Sequence, residues 1–165
     1  MSKVVAVDDV RWLDETQQQA WRALLVVVNR GLPQLERTLK AHGLLVVHYS
    51  ILVALSAAPD HTMRLTDLAD AANVSQSRLS HRLRTLVDRG DVTVTTDTDD
   101  RRGKHASLTA VGFDRLETIA PLHVEDVRRV IFDQLDSSET EALAHALSKV
   151  AGTLCDHGDF LPERL

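Results

Sequence analysis

The chain has 165 residues, a length that suits one compact domain or two closely packed lobes. An apolar fraction of 44% supports a real core and argues against disorder, while aromatics at 4% point to helices built from Leu, Val and Ala. The net charge of −5 excludes a uniformly basic nucleic-acid binder, and the single cysteine, Cys155, excludes an internal disulfide and fits a reducing cytoplasm.

Residues 1–11 read as a loose arm, without the charged start, long apolar stretch and cleavage site of a signal peptide. Trp12 to about Ala41 is helical in pattern: Trp21, Leu25, Val28, Leu32, Leu35 and Leu39 recur in steps of four and three. Pro33 lies inside this stripe, removes a backbone donor and predicts a kink near Gly31–Pro33. The longest strongly apolar run, Ala23 to Val28, is far too short to span a bilayer, so a membrane is not an expected partner. Val46 to Ala57 reads as a second helix, ended by Ala58-Pro59-Asp60.

Thr66 is the expected N-cap of a short third helix through Ala72, with Leu65, Leu68, Ala69 and Ala72 as its apolar face. Asn73-Val74 makes a tight turn whose valine plugs the angle to a fourth helix, opened by Ser75 or Gln76 and closed near Arg89 with Gly90 as its cap. Val92 and Val94, then Ala106 and Leu108, alternate with polar residues, which predicts two strands around the loop Asp97–Gly103. Thr109 caps a long helix to about Leu135, bent at Pro121. Ser138-x-x-Glu141 predicts a capping box for a last helix with the stripe Leu143, Leu147, Val150 and Leu154. The helices at the two chain ends thus carry long apolar stripes with little between them to cover. Packing within the chain is one reading; a dimer interface built from both ends is the favoured one.

Charge is distributed unevenly. Gln76 to Gly90 holds four arginines (78, 82, 84 and 89) against Asp88, a balance of +3, whereas Ala110 to Leu165 holds eleven acids and five bases, a balance of −6. At about 100° per residue, Leu79, Leu83 and Leu86, with Val87 beside them, face the core, while Ser77, Arg78, His81, Arg84 and Thr85 lie on the opposite arc. Short polar and basic side chains suit base edges and phosphates, and Ser75, Gln76 and Arg82 complete the candidate set at the amino end and flank. Asp100, Arg101, Arg102 and Lys104 around Gly103 put cations at a β-turn tip, where a narrow minor groove attracts arginine. A carboxylate two residues before an arginine can hold its guanidinium extended. The competing reading is a solvated helix face and hairpin.

These residues carry a resemblance. Leu65-Thr66-x-Leu68-Ala69, Val74-Ser75-x-Ser77-x-x-Ser80, Leu83-x-x-Leu86, Arg89-Gly90, Asp100-x-Arg102-Gly103 and Leu108-Thr109-x-x-Gly112 resemble the MarR family of bacterial transcription regulators. Trp12-Leu13, Ala20-Trp21-Arg22, Tyr49-x-Ile51-Leu52 and Pro121-x-His123 followed by Val127-Arg128 are similar to actinobacterial-type members, so the resemblance spans about residues 12 to 155. It implies a fold that is mainly α with a small β-wing, a winged helix-turn-helix embedded in a helical dimerisation base. The base is expected at residues 12–42 and 109–155, the reader at 46–108, and flexible ends at 1–11 and 156–165. The implied partners are double-stranded DNA and a second copy of the chain. Arg102 would enter the minor groove with Asp100 orienting it. His81 stands where many members have Arg, Asp91 where an apolar residue is usual after Gly90, and Ser50 where Glu is common after Tyr49. Asp91 predicts a first wing strand that begins one residue late.

The resemblance also implies release of DNA by a small aromatic acid or phenol. Trp21, His48 and Tyr49 are its candidate pocket residues; Trp21 as plain core, with His48 and Tyr49 half-exposed, is the rival reading. The alternatives for function are a metal- or thiol-responsive regulator of the same fold and a winged-helix interaction module without DNA binding. His42, His48, His105, the His123/Asp126 pair and Cys155-x-His157 make no compelling zinc set, and no base stands beside Cys155 to activate it, so no cofactor is expected. No phosphate loop, nucleophile elbow or paired-carboxylate motif points to an enzyme. The expectation is a cytoplasmic homodimeric repressor of a pseudo-palindromic operator.

Overall fold

The computed structural model describes residues 10–96 and 103–154. Asp100, Arg101, Arg102, Cys155 and His157 lie outside the described residues. The first helix, α1 (Glu15–Val26), starts at a reciprocal capping box rather than at Trp12: Gln17 N–H donates to the Asp14 carboxylate (2.8 Å), and Asp14 N–H donates to the Gln17 side chain (3.1 Å). The expected kink takes another form. A π-helical turn, Val27–Gly31, joins α1 to α2 (Leu32–Ala41), and Pro33 sits in the first turn of α2. Pro33 offers no N–H and its ring crowds the carbonyl a turn earlier, so the helix widens there instead of breaking.

Helix α3 (Val46–Ala57) has the predicted bounds and is buried along most of its length. Strand β1 (Thr62–Arg64) was not predicted; three residues are too few to show alternation. Helix α4 (Leu65–Ala71) begins directly after it with Arg64 at the N-cap position, so Thr66 is not the cap. Its hydroxyl instead donates to Asp67 Oδ1 (2.9 Å). Asn73 takes a left-handed φ of 53°, Val74 N–H donates to Ala69 O (2.9 Å), and the Val74 side chain packs on the core as expected.

Ser75 caps α5 (Gln76–Asp88), and Gly90 follows at φ 75°, a left-handed value that favours glycine. Strands β2 (Val92–Thr96) and β3 (Lys104–Leu108) pair antiparallel, with Val94 opposite Ala106. β3 is the central strand, because β1 pairs on its other edge with Met63 opposite Ala106. Helix α6 (Ala110–Val130) is capped by Thr109 as predicted and contains Pro121, but it ends before a 3-10 turn at Phe132–Gln134 rather than near Leu135. Helix α7 (Ser137–Ala151) is capped by Asp136 and Glu139, not by Ser138 and Glu141. The box thus sits two residues earlier than predicted.

The core gathers around α3: Ile51, Leu52 and Leu55 meet Leu39, Leu68, Leu79, Leu86, Val92, Ala106 and Ile119. Helix α2 packs against α6, and Asp126 ties the two by accepting from the Thr38 hydroxyl and from Arg129 Nη2 (2.8 Å). By contrast, α1 and α7 bury none of their residues. Trp21 is 52% exposed in the single chain, which removes its reading as monomer core, and Leu147 is 48% exposed. Among the described residues no single helix is long and apolar enough to cross a membrane.

Candidate nucleic-acid interface

Helix α5 divides as its sequence predicts. Leu79, Leu83 and Leu86 are buried, whereas Ser75, Gln76, Ser77, Arg78, His81 and Arg84 are exposed and Arg82 and Thr85 are half-buried. Val87 departs from the prediction: it is exposed, because it lies past the edge of the leucine arc. The Ser75 hydroxyl accepts from Arg78 N–H (3.4 Å) and is shared with the Ser77 hydroxyl (3.2 Å), which anchors the exposed first turn. Residues four apart share a flank of the helix. Gln76 and Ser80 therefore stand on one side of the polar arc, and Arg78 and Arg82 on the other.

The Gln76 flank faces a cleft of about 260 Å³ lined by Arg64, Leu65, Thr66, Gln76, Leu79, Ser80, Gly103 and Lys104. Strand β1 brings Arg64 there: it pairs across from His105, next to Lys104 on β3. Arg64, Thr66 and Ser80 were absent from the predicted set, since only the unpredicted strand sets Arg64 and Thr66 beside the wing.

The wing is rooted by Asp91, which is fully buried. Its Oδ1 accepts from Arg115 Nε on α6 (2.8 Å), while Oδ2 has no partner among the described residues. The backbone of the same residue joins three elements. Asp91 N–H donates to Leu86 O (2.9 Å), and Thr109 N–H donates to Asp91 O (3.1 Å). The Thr109 hydroxyl donates to Gly90 O (2.6 Å) and accepts from Gly112 N–H (3.0 Å). Gly112 is required by close approach: a Cβ there would lie 2.1 Å from Asp91 O. The late start of β2 at Val92 agrees with the sequence, but nothing in the sequence singles out Arg115 as partner.

Of the proposed pocket residues, His48 and Tyr49 are buried rather than half-exposed, and Trp21 is exposed. The His48 ring accepts from Leu45 N–H at Nδ1 (3.3 Å), so its proton belongs on Nε2, which has no partner among the described residues. Burial, then the Arg89 and Arg82 charges, push its pKa down, with Asp91 opposing. Tyr49, whose pKa burial raises, meets the His123 ring in a tilted contact, with centroids 4.5 Å apart and planes at 54°. Burial likewise lowers the pKa of His123, and its Nδ1 is also without a partner among the described residues. Asp126 is occupied by Thr38 and Arg129, so the His123/Asp126 pair is not laid out as a ligand set. Among the described residues no cluster of three or more His, Cys, Asp or Glu is placed to hold a metal ion.

Comparison with known proteins accounts for this geometry. Residues 42–103, from the loop before α3 to the wing, match the MarR family model. The chain is 30% identical over 105 residues to the HTH-type transcriptional repressor YetL of Bacillus subtilis (strain 168), a match spanning 64% of this chain and 63% of YetL. It superposes with a TM-score of 0.85 on Sco3205, a MarR family transcriptional regulator from Streptomyces coelicolor solved in complex with DNA, at 34% identity over 89% of this chain and 92% of Sco3205. AbsC, a MarR family transcriptional regulator from Streptomyces coelicolor, is 39% identical over 88% of this chain and 98% of AbsC, with a TM-score of 0.83. By identity and coverage alike, the chain belongs to the MarR family of transcriptional regulators.

Proposed function

We propose that this protein is a homodimeric DNA-binding repressor, with residues 46–108 as the reading lobe and residues 12–42 and 109–155 as the dimerisation base. One observation carries the reading: α5 turns a fully buried leucine arc inward and a polar, basic arc outward. Arg78, His81, Arg84 and Thr85 read base edges in the major groove, with Ser75, Gln76, Ser77 and Arg82 around them. Arg102 enters the adjacent minor groove with Asp100 orienting it, and Arg101 and Lys104 add positive charge beside it. The DNA-bound state of Sco3205 and the repressor role of YetL support this assignment. Two readers related by a two-fold axis then meet half-sites about one helical turn apart, in the cytoplasm where the DNA lies.

Release by a small aromatic acid or phenol is the further part of this reading, with Trp21, His48 and Tyr49 as the candidate residues; the Tyr49–His123 ring contact between α3 and α6, and a His48 nitrogen without a partner among the described residues, support it.

Selection of duplexes from a random pool by the purified protein tests the reading. A pseudo-palindromic sequence should emerge, and Arg84→Ala should lose about 1–3 kcal/mol of discrimination at one symmetric pair of base positions. A pool that stays unenriched overturns it.

A further inference from the structure

Asp91 places a carboxylate where the local backbone calls for an apolar side chain. Helix α5 ends in a Schellman motif, in which Gly90 N–H donates to Val87 O (2.9 Å) and Asp91 N–H donates to Leu86 O (2.9 Å). The residue at Asp91's place in this motif commonly packs an apolar group back on the last turn of the helix. Here the group is charged and fully buried, with Arg115 Nε on Oδ1 and no partner for Oδ2 among the described residues. Desolvation offsets much of the attraction in a buried ion pair, so an apolar pair of similar size would serve stability as well. What the ion pair adds is direction. A guanidinium meets a carboxylate at one short distance and in a narrow range of angles, whereas apolar surfaces can slide.

The pair is one of three ties that close a ring. Arg115 stands on the second turn of α6 and holds the end of α5 through Asp91. Helix α6 runs on to Asp126, which accepts from the Thr38 hydroxyl on α2. The loop that follows α2 returns to α5, because Arg89 Nη1 donates to Gly43 O. The geometry points to Arg115 as a positioning residue for DNA reading: through Asp91 it fixes the angle between α5 and α6, and with it the separation of the two reading helices in the dimer. This rests on the proposed DNA-reading dimer and gives Arg115 no contact with DNA. It explains why a buried charge sits at the end of the reading helix, where only the Arg115 partner lies on a different element.

The test separates position from stability with the double variant Asp91→Val, Arg115→Met, which removes both charges and leaves neither buried alone. The probes are a palindromic duplex enriched by the parent from a random pool, and the same duplex with its half-sites one base pair closer or farther apart. Each such step turns one half-site by about 34° relative to the other. By fluorescence anisotropy the parent should prefer the selected spacing at least about tenfold. The double variant, checked as a folded dimer by urea titration and sedimentation, should bind the selected duplex at least about tenfold more weakly and bring the three spacings within about threefold of one another. Arg115→Lys, which keeps a cation facing Asp91, should restore part of the preference. Should the double variant not fold, Asp91→Asn keeps an acceptor for Arg115, removes the charge, and should relax the preference in the same direction. A purely structural pair would lower the urea midpoint and leave the spacing preference of the folded protein as in the parent. That result, or a parent indifferent to spacing, overturns the positioning role while leaving the DNA reading intact. A parent that enriches no duplex overturns the DNA reading, and the positioning role with it.

Discussion

His48 lies behind α5, buried on α3 with the charges of Arg89 and Arg82 acting on it. Its folded-state pKa is depressed, and so is that of His123 on α6. Below the ordinary value of 6.5 the unfolded chain takes up protons that the folded chain refuses, so acid favours unfolding. The stability these neutral histidines allow is fully present above 6.5 and declines as the pH falls below it toward their folded values. Asp126, with its pKa lowered first by Arg129 and then by Thr38, loses its contribution only lower, below its ordinary 3.8. The urea midpoint should therefore be higher at about pH 7 than at about pH 5.5, and His48→Asn should flatten that difference. An unchanged pH profile in the variant would assign the acid sensitivity elsewhere.

At the scale of elements, Thr109 joins the wing to α6 beside the Asp91–Arg115 ion pair. Thr109 caps α6 through Gly112 N–H and ties back to Gly90 O. Thr109→Ala should lower stability by about 1–2 kcal/mol, read from the urea midpoint at constant slope, while Thr109→Ser retains most of it. Equal losses in both variants would mean that the methyl group, not the hydroxyl, matters. This junction also marks what the sequence discloses. Thr109, Ser75 and Gly90 act within one turn of their own helices, so local chemistry identifies them. Strand β1 is set by its pairing with β3, more than forty residues away, and Arg115 by burial of Asp91 (Thr62 faces Ser107, and Arg115 is 24 residues from Asp91). No local period records such distances. The buried and exposed faces of α5 were legible because its leucines follow the helical repeat. The cleft at its flank was not, because it needs three elements brought together. Trp21 misled because an apolar stripe reads the same whether its cover comes from the same chain or from another copy.

For the whole molecule, α1 and α7 present apolar side chains that the described residues of one chain leave uncovered, among them Leu24, Val26, Leu147 and Val150. Patches of this kind mark interfaces, and both chain ends contribute. Under the proposed dimer, Leu147→Glu should sediment as a monomer with helical content close to the parent, and should bind a selected palindromic duplex at least about tenfold more weakly. A parent protein that is already monomeric at micromolar concentration overturns the base, and a variant that still dimerises moves the interface off α7.

The π turn at Val27–Gly31 bears on how such a base is phased. A π turn holds an extra residue, so the face that α1 presents is rotated by about 100° from where an unbroken α-helix running back from α2 would put it. Leu35 and Leu39 point into the lobe on one side of that turn, while Trp21 and Leu25 emerge on a heading of their own on the other. The turn works as a rotary offset between two halves of one rod. Removing a single residue within it would restore a regular helix, keep the lobe intact, and swing the whole amino-terminal half through about that angle, redirecting which side of the rod meets the second copy.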